Sequence, residues 1–70
     1  MDLQTALKQE QERRGDTQEE FAQYLGISQP TLSRIYRRVQ GPGGETLEKI
    51  LARYPHFAYF FAEKYTNLYQ

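Results

Sequence analysis

Apolar residues recur at helical spacing along most of the chain. Leu3, Ala6 and Leu7 predict the buried face of a first helix, with Asp2 as its N-cap, Arg13 and Arg14 in its last turn and an end near Gly15. Thr17 followed by Glu20 fits the capping box that opens a second helix, whose buried face is Phe21, Ala22 and Leu25. Gly26 and Ile27 then turn the chain. Ser28 caps a third helix, Pro30 falls in its first turn where no amide proton is needed, and Leu32, Ile35 and Val39 gather on one side. A glycine-rich break, Gly41-Pro42-Gly43-Gly44, separates it from a fourth helix over about 45–53, on which Leu47, Ile50, Leu51 and Tyr54 follow the i, i+3, i+4, i+7 pattern.

Pro55 is expected to start a fifth helix over about 55–67. The tail from Tyr54 to Gln70 holds seven of the ten aromatic residues. On a helical wheel Phe57, Phe60, Phe61, Tyr65, Leu68 and Tyr69, with Ala58 and Ala62, form an apolar arc of roughly 200°, whereas a helix lying on one core needs little more than 100°. The surplus predicts a second covering surface, and those six large side chains are the candidate contacts of a symmetric homodimer. The fold class expected is all-α: a compact bundle of about five short helices in a single domain over residues 1–70.

Composition narrows the function. Cysteine is absent and His56 is the lone histidine, so thiolate metal sites and disulfides are excluded and no metal or cofactor is expected. The histidine has no nucleophile or carboxylate partner at a recognisable spacing, and no enzyme activity is expected. No apolar run approaches bilayer thickness and no signal peptide opens the chain, so the expected location is the cytoplasm of a bacterial cell or of a phage-infected host. Nine basic and nine acidic residues cancel. Their distribution does not. Residues 21–44 carry no acidic side chain, while Arg34, Arg37 and Arg38 fall there and make a local basic island suited to orienting the protein on DNA.

Residues 18–37, QEEFAQYLGISQPTLSRIYR, organise the rest. Ala22 stands where two helices cross closely, Gly26 four residues later where the chain leaves the first of them, Ile27 in the turn, and Leu32 and Ile35 as anchors of the second. That is the pattern of a helix-turn-helix. The run resembles the motif of the lambda repressor and Cro superfamily, and SQPTLSRI is similar to the recognition helix of its Xre-type members. The match covers the motif in register; the glycine-rich connector after it departs from the family's shorter turn.

The resemblance implies a sequence-specific regulator bound to double-stranded DNA, its third helix in the major groove. Gln18 and Gln29 match two family glutamines, the first holding phosphate and bracing the second against adenine. Arg34 and Arg37, pointing away from the core, suit the guanine O6 and N7 acceptors, with phosphate the alternative for each. Ser33 permits close approach, and Pro30 offers only apolar contact, as to a thymine methyl. The base-reading set is therefore Gln29, Pro30, Ser33, Arg34 and Arg37. Thr17, Gln18, Ser28, Arg38 and Gln40 form the expected phosphate set, because helix N-termini present unsatisfied N–H groups and Arg38 lies further round the third helix. Tyr36 stands where many relatives have glutamate and flanks the apolar face. Arg13 and Arg14 complement a helix C-terminus, with phosphate contact as the sharper reading.

Two functions fit. The preferred one is a small repressor of phage or prophage type, acting by steric occupation of a palindromic operator as a homodimer, with DNA completing a weak dimer contact. The alternative is an antitoxin whose aromatic tail covers a partner toxin.

Overall fold

The computed structural model describes residues 2–60. Four α-helices follow in order, α1 (Leu3–Arg14), α2 (Gln18–Leu25), α3 (Gln29–Tyr36) and α4 (Gly44–Arg53), and a 3-10 turn over Pro55–Ala58 leads into Tyr59 and Phe60, which are helical and end the described chain. The expected all-α class holds. The fifth helix expected from Pro55 opens there as a 3-10 turn and passes into helical Tyr59 and Phe60; the part of the expected helix beyond residue 60 lies outside the described residues.

Local chemistry sets the helix ends. The Asp2 carboxylate accepts the Thr5 N–H at 2.9 Å and opens α1. At α2 both halves of the capping box form: Glu20 N–H donates to Thr17 Oγ1 at 3.1 Å, and Thr17 N–H donates to Glu20 Oε1 at 2.8 Å. Thr31 N–H donates to Ser28 Oγ at 3.2 Å at the head of α3, with Pro30 in the first turn. Gly26 ends α2 at φ 81°, a left-handed conformation that spares only glycine a Cβ penalty.

One core joins the helices. Leu3, Ala6 and Leu7 of α1, Phe21, Ala22 and Leu25 of α2, Leu32 and Ile35 of α3, and Ile50 of α4 are buried, with Tyr54 and Phe57 beyond. Ile27 packs against this cluster from the turn. Of the four residues expected to close the core from α4 and its end, Ile50 and Tyr54 are buried, whereas Leu47 and Leu51 are half-buried. Ala22, 1% exposed, lets α2 approach its neighbours. Phe57 stacks on Tyr54 with ring centroids 4.8 Å apart, so it belongs to the core.

Val39 is a correction. It is 67% exposed and not on the apolar face of α3. The helix ends three residues earlier at Tyr36, and Arg38, at φ 59°, swings the chain away. Arg38 N–H then donates to Ile35 carbonyl oxygen and Val39 N–H to that of Arg34, each at 3.1 Å. These paired bonds are a Schellman closure, with arginine in the place glycine usually takes.

Candidate nucleic-acid interface

The outer face of α3 is built by subtraction. Leu32 and Ile35 anchor it to the core, which leaves Gln29, Pro30, Arg34 and Arg37 exposed and Ser33 half-buried. The five expected base-reading residues therefore share one side of the same short helix, from Gln29 at its first turn to Arg37 at its C-cap. The two glutamines expected to brace each other are not hydrogen-bonded to one another. Gln18 Nε2 is instead buried with no hydrogen-bond partner among the described residues, beside a groove of about 650 Å³ between α1 and α3. Lys8 and Glu12 of α1 line that groove, facing Ser33, Tyr36, Arg37 and Arg38.

The arginines sort into two sets. Arg13 pairs with Glu10 at 2.7 Å, and Arg14 pairs with Asp16 at 2.8 Å while lying 3.6 Å from the centroid of the Tyr24 ring. Arg53 covers the same ring at 4.4 Å and donates to the Tyr24 carbonyl at 2.8 Å. Arg38 pairs with Asp2 and donates to Gln4 Oε1 at 3.2 Å. Among the described residues, Arg34 and Arg37 alone of the six arginines make neither ion pair, hydrogen bond nor ring contact through their side chains. Arg13 and Arg14 do lie in the last turn of α1, where each also holds an acidic partner. Hydrogen bonding to Arg13 and its charge hold the Glu10 carboxyl below its ordinary range.

Thr17 and Ser28 spend their hydroxyl oxygens on helix caps, so what they present outward is the N-terminus of each helix. Gln40 is exposed in the connector after α3. Of the expected dimer contacts, Phe57 is buried and Phe60 half-buried against it at 5.3 Å, while Phe61, Tyr65, Leu68 and Tyr69 lie outside the described residues. Tyr59, 73% exposed, stands beside Phe60 with ring centroids 6.2 Å apart.

Sequence reasoning missed the tether that orients α3. Tyr36 Oη donates to Gln11 Oε1 at 2.8 Å, and Gln11 Nε2 donates to the Asp16 carbonyl at 3.3 Å, tying α3 to α1 and to the turn before α2. Gln11 is 7% exposed and is the buried polar residue of the core. Its signal was present in the spacing: Leu3, Leu7 and Gln11 follow at i, i+4 and i+8, which puts Gln11 on the apolar face. Burial drives the Tyr36 hydroxyl well above its usual range, and Lys8 lies 5.1 Å from the centroid of its ring.

No helix among the described residues is long and apolar enough to cross a membrane. A family model described as helix-turn-helix matches residues 7–55, from within α1 to the start of the 3-10 turn. Comparison with curated proteins and with solved structures finds no match for the chain. With the motif, its caps and its core in register, the chain belongs to the Xre and lambda repressor-like helix-turn-helix family of DNA-binding transcriptional regulators.

Proposed function

We propose that the protein is a small repressor of phage or prophage type that reads a palindromic operator as a homodimer, in the cytoplasm of a bacterium or an infected host. The observation that carries this reading is the state of the arginines: among the described residues Arg34 and Arg37 alone are exposed without an internal partner, and both belong to α3 or its cap. An arginine fork left without an internal partner suits guanine edges or phosphate. Gln29 and Pro30 extend the reading surface toward the head of the helix, and Gln18 Nε2, a buried donor without a partner, suits a phosphate oxygen. Thr17, Ser28, Arg38 and Gln40 flank that surface as further phosphate contacts. One helix of this length reads too few bases for specificity in a genome, so two copies on a twofold axis fit the requirement. Phe60, Phe61, Tyr65, Leu68 and Tyr69 of the expected set, with the exposed Tyr59 beside Phe60, are the residues proposed for that dimer contact. Repression is steric, since occupying a promoter needs no second domain.

Selection of bound sites from random duplexes, followed by titration of the selected site, tests this. Gln29→Ala should cost about 1–3 kcal/mol on the preferred site and less elsewhere. Retained sequence preference in that variant would remove Gln29 from the reading set. Sedimentation with the selected palindrome should give two proteins per duplex; one per duplex at saturation, with no self-association free of DNA, would end the dimer reading.

A further inference from the structure

Arg38 carries two features that base reading by α3 leaves unused. It is the one non-glycine residue among those described with a positive φ, 59°, at a position where helices close most readily on glycine or asparagine. A side chain kept at such a position against the preference of its backbone points to a functional constraint. Its guanidinium is also already occupied. The Asp2 carboxylate pairs with it and Gln4 Oε1 accepts from Nη1 at 3.2 Å, both partners coming from the opening of α1. Arg38 lines the α1–α3 groove together with Ser33 and Arg37, so the pair sits at the edge of the surface that faces DNA. To a guanidinium, a carboxylate and a phosphodiester offer the same pair of anionic oxygens. The two side chains are 54% and 46% exposed, so solvent and competing anions reach both.

We propose that Asp2 is an intramolecular competitor for the DNA backbone: its carboxylate occupies Arg38 in the free protein, and a backbone phosphate must displace it, so that Asp2 sets the affinity for DNA. This rests on α3 facing duplex DNA. Phosphate contacts carry no sequence information, so the effect is the same on preferred and random sites. Asp2 is then a residue that weakens binding without touching a base.

Fluorescence anisotropy with a labelled random-sequence duplex and with a selected site, at one moderate salt concentration, tests the proposal. The proteins compared are the wild type, Asp2→Asn, Arg38→Ala and the double variant. Asparagine caps a helix as well as aspartate does, so α1 keeps its start, and Asp2→Ser serves as a second uncharged cap. Asp2→Asn and Asp2→Ser should each bind both duplexes about threefold more tightly, the scale of one exposed ion pair, and the gain should disappear in the Arg38→Ala background. A gain that survives undiminished without Arg38 would overturn the proposal, because it would report only the removal of a negative charge near DNA. Unchanged or weaker binding by both variants, with the wild type's helical circular dichroism at the assay temperature, would overturn it as well. Failure of the wild type to bind either duplex would instead strike at the reading on which the proposal rests.

Discussion

Arg38 holds its left-handed backbone at a cost of about 1–2 kcal/mol for an L-residue, a cost that glycine avoids. The ion pair with Asp2 is exposed and returns little stability. Glycine's greater freedom in the unfolded chain offsets about half of that backbone cost, so Arg38→Gly is expected to raise Tm by roughly 4–8 °C, while Arg38→Ala, which keeps the strain and loses the pair, should not; thermal melts of the two separate backbone from side chain. Asp2 gives a prediction in pH. The Thr5 hydrogen bonds, then Arg38, hold its carboxyl well below the ordinary value of 3.8. A depressed folded-state pKa contributes stability that is present above the unfolded pKa and is lost as pH falls below about 4. The Tm difference between wild type and Asp2→Asn should accordingly be greatest above pH 5 and narrow steadily toward pH 2. A difference independent of pH would mean that the charge of Asp2 does not stabilise the fold.

Helix α3 has only eight residues and depends on its anchors for its place. Leu32 and Ile35 are among the fully buried side chains. Truncating either to alanine should cost about 2–5 kcal/mol, much of what a chain this short has to spare, and leave the domain largely unfolded at moderate temperature. Val39→Ala should leave the melt unchanged, since Val39 is exposed beyond the helix end. A circular dichroism melt of the three variants checks both statements, and equal midpoints would contradict the assignment of the anchors. The tether supplies a fourth case. Tyr36→Phe leaves Gln11 Oε1 without its donor inside the protein, and should destabilise by about 1–3 kcal/mol as a buried acceptor goes unpaired. Because burial raises the Tyr36 pKa, its contribution is full below pH 10 and falls as pH rises beyond that.

Across the whole molecule the charges cancel, yet they are not evenly spread. Among the described residues, acidic side chains pair with Arg13, Arg14, Arg38 and Lys49, the rings of Tyr24 and Tyr36 take up Arg14, Arg53 and Lys8, and Arg34 and Arg37 are left without such a partner. A protein of zero formal charge is thus expected to bind duplex DNA with a marked salt dependence, because local phosphate contacts and not net charge release counterions. Affinity for random duplex should fall by at least tenfold between about 50 mM and 200 mM salt, and Arg37→Ala should flatten the slope if Arg37 holds phosphate and leave it if Arg37 reads a base. Affinity that does not change with salt would place the DNA surface elsewhere.

By itself the sequence determined where helices begin and which faces they bury. Asp2 with Thr5, Thr17 with Glu20, and Ser28 with Thr31 each close a bond across three residues, so neighbours in the chain suffice to specify them. Gly26 likewise announces its left-handed turn, and the 3.6-residue period points Leu7, Phe21, Leu32 and Ile50 inward. The same period sets Pro30, Ser33, Arg34 and Arg37 away from the core side of α3, where Pro30, Arg34 and Arg37 are exposed and Ser33 is half-buried. It erred where the outcome depended on packing between distant residues. Period alone carried α3 on to Val39, whereas the chain turns at Arg38, a residue with no glycine-like signature. Whether Gln11 meets Tyr36, whether Arg14 and Arg53 sandwich Tyr24, and whether Arg38 reaches Asp2 depends on distances that exist only once α1, α2, α3 and α4 are packed. Phe57 shows the same division. Its aromatic character was plain in the chain, but only tertiary structure decided that the ring would fill the core against Tyr54, because a helical wheel cannot say how many neighbours wait on its apolar side.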